Sequence, residues 1–185
     1  MALTPSNMIP LGKVAPEFTL PDTVTGKTFS LSELKGEKAT VIMFICNHCP
    51  YVIHVNSELV KLGNDYSTKG VKFIAISSND VVSHPEDSPE KMKLVAANEK
   101  YPFPYLYDET QAVAKAYDAA CTPDLYIFDK EMKLTYRGQL DDSRPSNKVP
   151  LSGKDVRVAL DNLLSGKEVS PHQRPSIGCN IKWRQ

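Results

Sequence analysis

The amino-acid sequence predicts an α/β protein built on a parallel sheet. Two nearly unbroken apolar runs, at residues 39–45 and 71–77, have the length and β-branched content of strands buried on both faces. An amphipathic helix is predicted between them, because five apolar residues recur at helical spacing: Val52, Val55, Leu59, Leu62 and Tyr66. Strand, helix and strand form a β-α-β unit, and a length of 185 residues fits one domain.

The segment before this unit predicts a small hairpin and a short helix. Residues 17–20 and 27–29 have the composition of two strands joined by a turn. Ser30 and Glu33 match a capping box, so a helix is expected to begin there and to stop at Gly36.

Two further helices are predicted after the second buried strand. A helix is expected to begin at Ser88-Pro89 and to run towards Glu99, because proline is favoured at the first helical position. Thr110 is expected to cap another helix, which continues through Tyr117.

The carboxyl-terminal part predicts a hairpin, a helix and a tail. Residues 124–128 and 133–137 pair as antiparallel strands, and residues 155–164 form an amphipathic helix. Residues 168–185 have no clear period, so we expect an extended tail on a single domain that spans residues 1–185.

Composition limits the classes of partner and the cellular compartment that are expected for this protein. Charge is balanced, with 22 basic and 22 acidic residues and no one-sign block, which argues against nucleic acid or an anionic membrane as a partner. No run approaches the roughly 20 apolar residues that span a bilayer. Residues 1–18 lack the charged start and apolar run of a secretory signal, so a cytoplasmic location is expected. No cofactor is expected.

Four cysteines point to thiol or metal chemistry: Cys46, Cys49, Cys121 and Cys179. A chain of this size in a reducing compartment neither needs nor keeps structural disulfides. The close pair in the run Cys46-Asn47-His48-Cys49-Pro50 therefore indicates a redox or metal site.

The cysteine pair lies where the first buried strand ends and the helix begins. Sites of α/β sheets form at the carboxyl ends of strands, and a helix amino terminus favours a thiolate. Cys46 leaves the strand first, so it is expected to be more exposed and to attack, with Cys49 resolving the mixed disulfide. A protonated His48 would also stabilise the thiolate; otherwise it is a solvated loop residue.

The position of Pro50 leaves the helix cap open. If Cys46 caps the helix, Pro50 removes an early backbone hydrogen bond and distorts the first turn. If the helix begins at Pro50, the proline is favourable and Cys49 is the cap.

Two rival interpretations of the pair are weaker. Buried core thiols would not have such polar and turn-forming neighbours. A zinc site would need Cys46, His48 and Cys49 with a fourth ligand such as His54, and no second close ligand pair exists. No metal is therefore expected.

Other candidate residues lie outside the pair. Asn79 and Asp80 end the second buried strand and fall near the site by topology. Arg137 belongs to a charged segment that is either a solvated loop or a surface that steers a charged partner. Cys179 is interpreted first as a tail residue packed on the body, and second as a distal resolving thiol. Pro123 opens a predicted strand, and proline is permitted at that position on structural grounds without any functional meaning.

The order of elements resembles the thioredoxin fold, a three-layer α/β/α sandwich, here with an amino-terminal β extension. Thr122-Pro123 before a main strand is similar to the cis-proline loop of that fold. The resemblance implies that Thr122 and Pro123 bind the substrate backbone beside Cys46. It also implies that Cys121 lies near enough to act as a third redox thiol.

Longer runs resemble the redoxin group, which includes peroxiredoxins and the alkyl hydroperoxide reductase/thiol-specific antioxidant proteins. Ala-Pro-Glu-Phe-Thr-Leu at residues 15–20 resembles the opening of that group. Residues 44–52, 137–145 and 175–183 together resemble a bacterial peroxiredoxin-like subgroup.

One departure from the peroxiredoxin pattern bears on activity. That pattern places Pro and Thr or Ser seven and three residues before the peroxidatic cysteine. Counted back from Cys46, those positions hold Ala39 and Met43; counted back from Cys49, they hold Ile42 and Cys46. The hydroxyl that would orient a peroxide is missing. We therefore expect exchange with protein or small-molecule disulfides, supported by an unknown thiol donor, rather than reduction of hydroperoxides.

Overall fold

The computed structural model describes residues 3–185 as a mixed α/β structure. The elements of these residues, in chain order, are β1 (Leu3–Pro5), β2 (Thr19–Pro21), β3 (Thr28–Ser30), α1 (Leu31–Leu34), β4 (Ala39–Phe44), α2 (Pro50–Ser67), β5 (Val71–Ser77), α3 (Pro89–Asn98), β6 (Tyr105–Tyr107), α4 (Ala112–Ala116), β7 (Cys121–Thr122), β8 (Asp124–Asp129), β9 (Leu134–Arg137), α5 (Lys154–Leu164) and β10 (Ile177–Asn180).

The predicted β-α-β unit forms the centre of a five-stranded sheet in the order β6-β5-β4-β8-β9. β4 pairs parallel with β5 and antiparallel with β8. Side chains of β4 alternate between two cores: Val41 and Met43 pack with residues of α2 and α5, while Ile42 and Phe44 pack with Leu31 and others on the opposite face. The sheet is therefore covered on both sides, and the predicted three-layer thioredoxin-like sandwich is confirmed.

The predicted tail is more ordered than its sequence indicated. Its strand β10 lies between β1 and β7 in a second sheet, with Cys179 opposite both Leu3 and Thr122. Gly178 permits this approach, because a Cβ atom there would lie 2.0 Å from the Thr122 carbonyl oxygen. β10 was not predicted because a strand of four residues, one of them Gly178, is too short to show a period.

Two other local predictions need correction. The N-cap of α4 is Gln111, in the left-handed region at φ 62°, and not Thr110, whose hydroxyl instead accepts a 3.4 Å hydrogen bond from the Ala112 N–H. β6 was not predicted, since three residues between Pro104 and a turn are too few to show a period.

Among residues 3–185, every helix is too short or too polar to serve as a membrane span.

Candidate active site

Both cysteines of the pair lie at the carboxyl end of β4, and the structure answers the question of the cap. Cys49 is the N-cap of α2 and Pro50 occupies the first helical position, where its fixed φ favours the helix and its missing N–H is not needed. The Cys49 carbonyl accepts hydrogen bonds of 3.0 Å from the Val52 and Ile53 N–H groups. Cys46 precedes the helix in the connecting loop.

Thr122 contacts both cysteines from the facing loop. The Thr122–Pro123 peptide is cis, as the resemblance implied. The Thr122 hydroxyl lies 3.4 Å from Cys46 Sγ, and the Thr122 carbonyl oxygen lies 3.2 Å from Cys49 Sγ. This loop therefore forms one wall of the site.

A third thiol completes the cluster. The Cys179 sulfur on β10 lies 2.8 Å from the Cys49 sulfur. Cys46, Cys49 and Cys179 are 2%, 0% and 4% exposed, so all three thiols are buried and Cys46, which was expected to be the more exposed of the pair, is hardly more exposed than Cys49. Thr122 contacts Cys46, and Cys179 of the tail strand contacts Cys49.

The three thiols differ strongly in acidity. Hydrogen bonding by the Cys46 thiol, and then by the Cys179 thiol, lowers the pKa of Cys49 to about 5 despite burial. The pKa of Cys46 is raised well above its usual value by the hydrogen bond with Cys49, by burial and by the nearby Asp87 carboxylate. Burial, followed by the bond with Cys49, raises the pKa of Cys179 to about 12. Cys49 is therefore the thiol of the three whose pKa is lowered, whereas the sequence had favoured Cys46 as the attacking thiol.

Asp87 is a buried carboxylate that holds the cysteine loop, and no local sequence pattern pointed to it. One of its oxygens accepts a 2.8 Å hydrogen bond from the Asn47 N–H. The other accepts a 2.7 Å bond from the Asn79 amide and lies 2.7 Å from His48 Nδ1. Asn79 and Asp87 both follow β5. Sites form at the carboxyl ends of such strands, so a search of the chain eight residues beyond Asn79 would have reached Asp87.

Asn79 also connects this cluster to the tail. Its amide oxygen accepts a 2.9 Å hydrogen bond from the Lys182 N–H. The neighbouring Asp80 N–H donates to the Lys182 carbonyl at 2.8 Å. Asn79 and Asp80 thus lie beside the tail, and Asn79 joins Asp87 to the segment that follows β10.

One group of side chains has the donor types of a metal site. Ligand atoms of Cys46, His48 and Asp87 all lie within 4.8 Å of one another. The rival zinc set is not assembled, because His54 Nε2 lies 2.8 Å from the Ser143 hydroxyl. A metal would have to compete with the Asn47 and Asn79 donors that already occupy the Asp87 oxygens.

Arg137 lies outside the site, which corrects both interpretations of its segment. Its guanidinium is fully buried, 3.0 Å from an Asp124 oxygen and 4.4 Å from the centre of the Tyr126 ring. It also donates a 2.8 Å hydrogen bond to the Asp118 carbonyl. It is therefore neither a solvated loop residue nor a surface charge that steers a partner.

The Cys121 side chain also belongs to another part of the molecule. Its sulfur lies 3.9 Å from the Ser6 hydroxyl and 3.7 Å from the Pro123 carbonyl oxygen. Burial and then the Asp124 carboxylate raise its pKa far above the usual range. The contacts of Cys121 do not support its predicted role as a redox thiol beside Cys46.

A groove of about 750 Å³ adjoins the site, with a floor and rim formed by the segment after β5 and the end of the tail. His84 lines it and stacks on His48, with ring centres 5.3 Å apart. Val82, which is 85% exposed, and Trp183 add apolar surface. His84 is thus the residue that connects the groove to the cysteine loop, through its contact with His48.

Comparison with known proteins identifies the family. A model of the AhpC/TSA family matches residues 11–137. The chain belongs to the AhpC/TSA family. An uncharacterised conserved protein from Geobacillus kaustophilus is 62% identical, with a TM-score of 0.98 over 100% of this chain and 97% of that one. A hypothetical protein from Sinorhizobium meliloti is 46% identical, with a TM-score of 0.95 over 98% of each chain.

More distant structures agree in fold with this AhpC/TSA family member. The thioredoxin domain of a thiol-disulfide oxidoreductase from Bacteroides vulgatus is 22% identical, with a TM-score of 0.60 over 70% of this chain and 89% of that one. No curated protein matched the chain. Family and fold together describe a thioredoxin-like redoxin.

Proposed function

We propose that this redoxin is a dithiol–disulfide oxidoreductase that uses Cys46 and Cys49 on protein or small-molecule disulfides. The proposal rests on one observation: Cys46 and Cys49, whose pKa values are shifted in opposite directions, both contact Thr122. Cys46 keeps its proton, Cys49 has a pKa of about 5, and Thr122 contacts both sulfurs. Exchange needs one attacking thiolate and one resolving thiol within reach of each other.

Cys46 is the sulfur that meets the substrate. Cys49 is enclosed by Cys46, the Thr122 carbonyl and Cys179, whereas Cys46 is followed by the half-buried Asn47 and His48. The substrate chain lies along the Thr122-Pro123 loop, with the groove beside His48 as its approach.

The Cys49 thiolate acts first as a base and then as a nucleophile. It takes the Cys46 proton as the Cys46 sulfur attacks one substrate sulfur, and the resulting Cys49 thiol can donate to the Thr122 carbonyl at 3.2 Å. The expelled substrate sulfur receives that proton. The Cys49 thiolate then attacks Cys46, forming the Cys46–Cys49 disulfide and expelling the second substrate sulfur.

Turnover of a model protein disulfide tests the proposal. With a small dithiol as electron donor, the protein should reduce insulin disulfides faster than the donor alone, and both Cys46→Ser and Cys49→Ser should abolish the acceleration. Cys121→Ala is the matched control, because that thiol lies outside the cluster and should retain turnover. Full activity in Cys46→Ser would refute the proposal.

Hydroperoxide reduction is the second candidate, and the acidity of Cys49 together with AhpC/TSA membership favours it. The Cys49 thiolate would attack the peroxide, releasing an alcohol or water and forming a sulfenic acid, which a neighbouring thiol would convert to a disulfide with loss of water. Stoichiometric consumption of hydrogen peroxide by the reduced protein, lost in Cys49→Ser, would support this candidate over the first.

A further inference from the structure

We propose that Cys179 is a third redox thiol, which takes over the disulfide at Cys49 and thereby links the tail strand to α2. This inference rests on the proposed dithiol chemistry of Cys46 and Cys49. It assigns to the tail a function in the redox cycle of the site that the tail covers.

The first support is contact. The Cys179 and Cys49 sulfurs are 2.8 Å apart, closer than two unbonded sulfur atoms pack at rest and near enough for exchange. Cys49 lies between the other two thiols, with hydrogen-bonding contacts to Cys46 and Cys179. A resolving thiol in the tail therefore reaches Cys49. The interpretation from the sequence required the tail to reach Cys46 or a partner subunit instead.

The second support is the way the tail is held. β10 is paired on both sides, by β1 and by β7, and Cys179 is in register with Thr122. Lys182, three residues further on, is bound through its N–H to Asn79. The Cys179 thiol is thus positioned by backbone hydrogen bonds on either side of it, and its contact with Cys49 follows from the fold.

The third support is that oxidation of the pair removes a restraint on Cys179. After burial, the main causes that raise its pKa are the hydrogen bond to Cys49 and the charge of Cys49. Both depend on Cys49 being a thiolate. Once Cys49 is part of a disulfide these two causes vanish, while Lys182 still favours the Cys179 thiolate.

The step conserves electrons and atoms. Cys179 loses its proton and its sulfur attacks the Cys49 sulfur, so the Cys49–Cys179 bond forms as the Cys46–Cys49 bond breaks. Cys46 leaves as a thiolate and takes up the proton that Cys179 released. One disulfide exists before and after the step, so no outside oxidant is needed.

Peptide mapping after controlled oxidation tests this proposal. Cys46→Ser is reduced, freed of oxygen, oxidised with one equivalent of diamide, quenched with N-ethylmaleimide under denaturing conditions and digested with trypsin. We expect a disulfide between the tryptic peptides 39–61 and 168–182 in most molecules. The yield should fall at least tenfold in Cys46→Ser/Cys179→Ser and should persist in Cys46→Ser/Cys121→Ala.

The result that overturns the inference is a Cys46→Ser protein whose Cys179 is alkylated throughout and whose Cys49 bonds only to other molecules. Cys46→Ala, treated in the same way, guards against a defect caused by the serine, and circular dichroism confirms that each variant is folded.

Wild type in the same titration separates this inference from the proposed function. Loss of two hydrogens within peptide 39–61 reports the Cys46–Cys49 disulfide. If that bond forms but the link to peptide 168–182 never does, in wild type or in Cys46→Ser, only the inference fails. If neither the Cys46–Cys49 disulfide nor the link between peptides 39–61 and 168–182 forms in wild type, the proposed function fails.

Discussion

Cys121 and Thr122 are neighbours in β7, yet they belong to two clusters of opposite character. Successive side chains of a strand point to opposite faces. Thr122 therefore contacts Cys46, in the cluster of three thiols, while Cys121 contacts Ser6, whose hydroxyl donates a 2.7 Å bond to Asp124. The second cluster is completed by the buried ion pair of Asp124 with Arg137.

The comparison shows that neighbours, and not burial alone, set the direction in which the pKa of a cysteine is shifted. Cys49 and Cys121 are both inaccessible to solvent. Hydrogen bonding with Cys46 and then with Cys179 lowers the pKa of Cys49, whereas burial and then the nearby Asp124 carboxylate raise the pKa of Cys121. We therefore interpret the Arg137 cluster as a support for the fold and the cysteine cluster as the chemical site.

The largest expected effect is on stability, from breaking the supporting cluster. Arg137→Met leaves the Asp124 carboxylate buried without its partner and should lower the free energy of unfolding by about 3–5 kcal/mol, as removal of one partner of a buried pair does. Urea unfolding measures the change. Arg174→Met removes an exposed pair with Asp142 and should change stability little. Equal losses in both variants would contradict the assignment of Arg137 to the core.

The next effect concerns the acidity of Cys49. Thiolate absorbance at 240 nm should show one group of the reduced protein ionising near pH 5, with the anion present above that pH and lost below it. Cys46→Ala removes the largest stabilising hydrogen bond, so the midpoint should move upward, towards the usual thiol value. Cys121→Ala should leave the midpoint in place, and a rise there would mean that the two clusters are coupled.

The smallest expected effect is on Cys46. Asp87→Asn keeps the shape of the side chain but removes a charge that raises the pKa of Cys46. The second thiolate should therefore appear at lower pH than in wild type, which the same absorbance titration measures. Glu86→Gln is the control, because its side chain lies on the same turn and is not among the groups that raise the pKa of Cys46.

The sequence was sufficient to predict the central sheet except for β6, and to predict the position of the pair. The apolar run of β4, the helical spacing in α2 and the run of β5 are local patterns, and they place Cys46 and Cys49 at a strand end. Pro50 was open to two interpretations because a proline suits either the first helical position or a distorted turn, and only the backbone path distinguishes them.

The rest depended on contacts between distant parts of the chain. Cys179 meets Cys49 across 130 residues, and Asp87 meets Asn47 across 40. No local pattern encodes such pairs, and the acidity of each thiol follows from them. The position of Arg137 was missed for the same reason. Its segment has the charged composition of a protein surface, but its ion pair with Asp124 places it in the interior.

The most direct test of the central claim is a mixed-disulfide trap. Reduced Cys49→Ser is mixed with a model protein disulfide, quenched by acid and mapped by mass spectrometry. Without Cys49, Cys46 loses the hydrogen bond that most raises its pKa, so it can ionise and attack without a neighbouring base. Because the resolving thiol is missing, we predict a stable mixed disulfide on Cys46, absent from the wild-type protein, which completes the exchange. Absence of any adduct on Cys46, with a stable adduct on Cys49 in the parallel Cys46→Ser/Cys179→Ser experiment, would contradict it.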